Sequence, residues 1–146
     1  MRSWLAKQLL TRNLARLRAG DYRPLLALDA RDVRFRFPGD SSWAVDLRGR
    51  DALERWLQRF VAAGIQIFAD EVVATGPPWR MTLCLRGTDH LDAPSGERVY
   101  ENRYVIWGHL SWGRLTDYEV YEDTQRSAAL DRWLESQGPG VALPVT

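Results

Sequence analysis

A chain of 146 residues, 45% apolar and 27% charged, has ordinary globular composition and is long enough to bury a core without disulfides. Its formal net charge of +1 gives no electrostatic case for a nucleic-acid partner, and a single cysteine, Cys84, excludes an intramolecular disulfide. No apolar run approaches the ~20 residues that span a bilayer, and the first residues lack the apolar stretch of a secretion signal, so a soluble cytoplasmic protein without membrane contact is expected.

In chain order, Leu5, Leu9, Leu10, Leu14 and Leu17 recur at helical spacing until Gly20 stops the run. Asp21 can cap a second short helix with Pro24 in its first turn. Val33, Phe35 and Phe37 then alternate with Asp32, Arg34 and Arg36, the pattern of a half-buried strand ended by Pro38-Gly39. The arginines fall on its solvated side. A loop through Trp43 leads to a helix whose apolar face is Ala52, Leu53, Trp56, Leu57, Phe60 and Val61, closed by Gly64. Residues 65–75 read as a strand, and Gly76-Pro77-Pro78 as a turn. Met81, Leu83, Leu85, Gly87, Asp89 and Leu91 share one face of the next strand, and Ala93-Pro94-Ser95-Gly96 turns the chain into another over about 98–110. Ser111-Trp112-Gly113 suits a three-residue hairpin loop before a last strand, 114–122. Asp123 can cap a closing helix through Trp133 and Leu134. The expected organisation is one domain over residues 1–137, followed by a loose tail, 138–146.

Helices grouped against one face of a curved antiparallel sheet make an α+β cone around an apolar pocket. Asp89 stands out there, because it shares a strand face with leucines. A carboxylate on such a face loses hydration, and its pKa rises toward the range useful for proton transfer. At a strand end it can instead reach water and cap the turn; the sequence leaves both open. A short loop at Ser95-Gly96 places Asn102 opposite Asp89, where its amide can hold a ligand oxygen or satisfy backbone groups. Tyr104, Ile106, Tyr118 and Val120 share that face if the last hairpin has its three-residue loop, and Tyr118 is then a candidate acid or oxyanion donor. Leu85, Phe35, Phe37 and Trp43 complete the expected wall and lid. Tyr22 and Glu122 are candidates for the mouth, with Glu122 better read as solvent-exposed.

His90 falls opposite Glu101, and His109 lies ~26 Å further along that strand, so the two cannot share a metal ion. No phosphate loop, nucleophile elbow or cofactor motif is present, and neither metal nor cofactor is expected. Val99, Val105 and Trp107, beside Thr82 and Cys84, make the opposite sheet face apolar as well, which calls for a homodimer packed through it.

Several phrases, in order, resemble the nuclear transport factor 2-like superfamily and its SnoaL-like branch: Ala19-Gly20-Asp21, Ala30-Arg31-Asp32-Val33-Arg34-Phe35, Arg48-Gly49-Arg50-Asp51-Ala52-Leu53, and Trp112-Gly113-Arg114 leading to Tyr121-Glu122-Asp123-Thr124. The resemblance covers roughly residues 5–135. It implies a cone-shaped fold with a pocket, often in a homodimer, in a superfamily of isomerases, dehydratases, epoxide hydrolases, polyketide cyclases and non-catalytic binding proteins. Against ketosteroid isomerase, the proton-shuttling carboxylate falls on Phe37 and the oxyanion tyrosine near Asn13. Against limonene epoxide hydrolase, Asp89 matches one carboxylate, but its companion falls on Val120, the intervening arginine on Gly87, and the water-positioning pair on Phe35 and Phe37. The sequence therefore points to a pocket protein for a small apolar molecule. An acid/base enzyme comes first, a non-catalytic binding module second and a protein-interaction module third.

Overall fold

Apolar alternation builds the sheet and apolar stripes build its cover. The computed structural model describes residues 2–137; the expected tail, 138–146, lies outside the described residues. In order it forms α1 (Arg2–Arg18), α2 (Arg23–Leu26), β1 (Asp29–Phe37), β2 (Val45–Arg48), α3 (Arg50–Ala63), β3 (Gln66–Thr75), β4 (Met81–Asp92), β5 (Arg98–Ser111), β6 (Arg114–Glu122) and α4 (Thr124–Gln137).

The strands form one sheet in the order β2-β1-β6-β5-β4-β3. Its pairs are antiparallel, as expected for the last four strands, except β1 with β6, which run parallel, so the sheet is mostly antiparallel. Strand direction is dictated by a short hairpin loop but left free by a long connection, and most of the chain separates β1 from β6. The segment read as a loop around Trp43 contains β2. Four residues are too few for alternation to announce a strand.

Cross-strand register was legible. Asp89 pairs with Asn102, and His90 with Glu101. The β5–β6 turn is tighter than expected: Ser111 pairs with Arg114, leaving Trp112 and Gly113 at φ 50° and 79°. Both central residues are left-handed, as in the type I′ turn that matches strand twist. Thr116 is an extra residue in β6, since Leu110 pairs with Leu115 and His109 with Asp117. One turn residue fewer and one bulge residue more keep the parity of the expected loop, so Ile106, Tyr118 and Val120 stay on one face, although Ile106 pairs with Val120 where the expected loop pairs it with Tyr118.

Helix α1 packs on β3, α3 on β1 and α4 on β5. The buried stripe of α1 is Leu10, Asn13, Leu14 and Leu17; Leu5 and Leu9, expected on it, lie about half exposed on another face. The amide of Asn13 donates to the Pro24 carbonyl at 3.5 Å, tying α1 to α2. Helix α3 buries Leu53, Trp56, Leu57, Phe60 and Ala63. Full burial of a leucine or phenylalanine side chain is worth about 2 kcal/mol, so this stripe is a main anchor of the core. The segment after β1 is pinned on both sides. Ser42 donates its N–H and hydroxyl to the Asp131 carboxylate on α4, at 2.6 Å each. Arg59 of α3 lies over the Trp43 ring, 3.9 Å from its centroid.

Candidate functional site

Between sheet and helices lies a cavity of about 110 Å³, walled by leucines of α1, by Phe35 and Phe37 of β1, by Trp56 and Phe60 of α3, and by the inward side chains of β4, β5 and β6. Cavities of about 150 Å³ with such walls hold a benzene-sized guest, so this one suits a single small ring. Three carboxyls interrupt the apolar lining: Asp29, Asp89 and Glu122.

Asp89 is 6% exposed. Its Oδ2 accepts the Tyr100 hydroxyl at 3.1 Å, while buried Oδ1 has no hydrogen-bond partner. Burial pushes its pKa up to about 6, against the opposing pull of the Tyr100 hydrogen bond. The Asn102 amide donates to the Tyr100 hydroxyl at 3.2 Å and to the Asp123 carbonyl at 3.0 Å, and its Oδ1 accepts the Arg103 N–H. Asn102 therefore holds Tyr100, which holds Asp89, and the amide has little left to offer a ligand.

Glu122 corrects the expectation of solvent exposure. It is half-buried, lines the cavity, and touches the buried Ser127 hydroxyl of α4. Burial pushes its pKa up to about 8, and the charge of Asp89 adds to the rise while Ser127 opposes it. Ser127 has a single hydroxyl hydrogen and also lies 3.4 Å from the Asp123 carbonyl. That hydrogen is shared between the Glu122 carboxyl and the Asp123 carbonyl as acceptors. The cavity thus holds two neighbouring carboxyls whose surroundings set their pKa values apart.

Asp29, at the start of β1, is 1% exposed, and its Oδ1 has no hydrogen-bond partner. Burial pushes its pKa up to about 7, against the nearby Arg50. That guanidinium is hydrogen-bonded to the Asp29 carbonyl at 2.8 Å rather than to the carboxyl. The charge of Asp29 raises the Tyr118 pKa further, on top of burial, so the two groups are near one another. Tyr118 thus belongs with Asp29 instead of with Asp89 and Asn102, where the sequence had grouped it.

Of the expected wall, Phe35, Phe37, Leu85, Tyr104, Ile106, Tyr118 and Val120 line the cavity. Two expectations need correction. Trp43 is no lid: it is buried in the core and borders a smaller adjoining void of about 20 Å³. Asn102 borders the outer groove and is absent from the cavity wall. Tyr104 donates its hydroxyl to the Phe68 carbonyl at 2.8 Å, which leaves it as wall. Tyr22 bonds Glu54 at 2.8 Å, away from the cavity. Asp123 caps α4 as expected, accepting the Gln125 N–H at 3.0 Å.

Asp29 and Tyr100 were missed as site residues, and Glu122, a candidate for the mouth, was read as solvent-exposed. The signal was strand parity: Glu122 follows Tyr118 and Val120 on one face, and Asp29 has the parity of Val33 and Phe35. Tyr100 has the parity of Asn102, its own neighbour on the inner face.

Comparison with known proteins agrees with this architecture. The family profile described as the SnoaL-like domain matches residues 10–118. No curated protein matches the chain. A nuclear transport factor 2-like protein of unknown function from Burkholderia pseudomallei superposes with TM-score 0.68 at 21% identity, covering 84% of this chain and 94% of that one. PrhC from Penicillium brasilianum gives TM-score 0.69 at 14% identity, covering 89% and 87%. TerC, co-crystallised with polyporic acid, gives 0.65 at 19%, covering 81% and 91%. At such identities the likeness establishes the fold alone. Among the described residues, no helix is long and apolar enough to cross a membrane. With most of its length matched by the family profile and its fold shared with these structures, the chain belongs to the SnoaL-like domain family of the nuclear transport factor 2-like fold.

Proposed function

We propose that this chain is an enzyme performing acid/base chemistry on a compact, largely apolar small molecule, with Asp89 as the proton-transferring carboxyl. The observation that carries this reading is a buried Asp89 whose Oδ1 has no protein partner, in a cavity whose lining is apolar apart from Asp89, Asp29 and Glu122. A carboxylate in that position gains basicity toward a ligand proton, because burial raises its pKa and the Tyr100 hydrogen bond on Oδ2 offsets that only in part. Glu122 is the neighbouring acid: near neutral pH Asp89 is mostly ionised while Glu122 is mostly protonated. Isomerisation, cyclisation, dehydration and epoxide opening can all use a positioned base and acid. Tyr100 and Asn102 position Asp89. That TerC was co-crystallised with polyporic acid supports a ligand in a fold of this kind.

The test is turnover of a panel comprising cyclohexene oxide, a cyclic β,γ-enone and a cyclic β-hydroxyketone, by wild type and Asp89→Asn. Removing a positioned general base should slow the accepted substrate by about a hundredfold or more with folding intact. An undiminished rate in Asp89→Asn contradicts the assignment. A second reading, a non-catalytic ligand-binding module, is favoured by the engaged amide of Asn102 and hydroxyl of Tyr104. It expects ligand recovered unchanged and binding that survives Asp89→Asn.

The outer sheet face supports a homodimer. Trp107, Val73 and Tyr121 are about half exposed there, with Cys84 paired to Trp107. Charged side chains such as Arg86 and Arg103 border the groove beside them, which suits the rim of an interface.

A further inference from the structure

We propose that Asp29 and Tyr118 form a second polar end of the cavity, remote from Asp89, that receives a neutral oxygen of the ligand, either a carbonyl or a hydroxyl. This deepens the reading of the cavity as a small-molecule site and rests on it. The sheet register separates the two ends. Asp29 lies beside Leu115 at the beginning of β6, whereas Asp89 pairs with Asn102, two residues before Tyr104, whose partner Glu122 closes the same strand.

Asp29 has the marks of a binding group. It is 1% exposed, it lines the cavity, and its Oδ1 lacks a hydrogen-bond partner. A buried polar atom left open in this way lacks the compensation that folding normally provides, and a ligand can supply it. Because burial pushes its pKa up to about 7, a large share of Asp29 is neutral acid at neutral pH and can donate a hydrogen bond. The Tyr118 hydroxyl offers a second donor, since burial alone holds its proton on when Asp29 is neutral. Two adjacent donors in an apolar wall fit an oxygen acceptor. A cationic ligand fits poorly, because the Arg50 guanidinium already sits on the Asp29 carbonyl. The implied substrate is an apolar body carrying an oxygen at the end away from the bond on which Asp89 acts.

The test compares cyclohexanone with methylenecyclohexane, which keeps the ring and the exocyclic double bond but replaces oxygen by CH₂. Kd is read from amide chemical-shift titrations of the whole protein. Wild type should prefer the ketone by about tenfold, the value of one well-made buried hydrogen bond. Asp89→Asn should keep that preference, as should Asp29→Asn, which retains a neutral donor. Asp29→Leu should abolish it, and Tyr118→Phe should reduce it; the latter keeps the test alive if Asp29→Leu does not fold. Equal binding of the two probes by wild type, or a preference lost only in Asp89→Asn, overturns the proposal and leaves the cavity reading standing. Tighter binding of cyclohexylamine than of the ketone overturns the choice of a neutral oxygen. Failure of every probe to bind wild type overturns the cavity reading itself.

Discussion

Tyr100 controls Asp89 through one hydrogen bond at 3.1 Å that favours the ionised carboxylate. Tyr100→Phe removes that bond and leaves the burial, so the Asp89 pKa should climb above about 6 and the acid flank of the pH–rate profile should move up with it. A flank that stays in place would show that Tyr100 only packs. The strand face and cross-strand partner of Asp89 were legible, because a leucine-rich face and the Ser95-Gly96 turn set them, whereas its burial was left open. The role of Asn102 was not, because its amide is engaged by the Asp123 carbonyl, and only the folded chain brings that group to it. Glu122 and Asp29 carried the right parity, but they stand at strand ends, where sequence cannot distinguish a cavity wall from a solvated edge.

The β3–β4–β5 hairpins position these side chains, and Gly87 is the point of closest approach. A Cβ added there would lie 2.0 Å from the Phe68 carbonyl and 2.5 Å from the Tyr104 hydroxyl. The glycine is what lets Tyr104 reach across to β3. Gly87→Ala must displace backbone and should destabilise the protein by about 2–3 kcal/mol in urea unfolding; a loss below about 0.5 kcal/mol would mean the strand yields without strain. Element order and most boundaries could be read from alternation and helical spacing. β2 and the parallel β1–β6 pair could not, because the first is too short for a period and the second is set by contacts far apart in sequence. The Thr116 bulge was invisible too, yet parity survived it, and the face assignment with it.

At the scale of the whole molecule, three cavity acids act on stability in one direction. Asp29, Asp89 and Glu122 have folded pKa values of about 7, 6 and 8, all above their ordinary values. The folded state binds more protons than the unfolded chain between those limits, so stability falls as pH rises from about 4 to about 8. Asp21, held low by Arg23 and Arg16, acts with the opposite sign and only as pH drops below about 4. The melting temperature should therefore be lower at pH 8.5 than at pH 5.5, and Asp29→Asn should flatten the slope. A flat or rising profile in the wild type would mean these acids are hydrated.

The most direct test of the account is a carboxyl-carbon NMR titration of Asp89 in the ligand-free protein. A midpoint near pH 6 is the result predicted for a carboxyl held in an apolar cavity. A midpoint near 4, the value of an aspartate in water, would place that side chain in solvent and remove the base from the proposed chemistry.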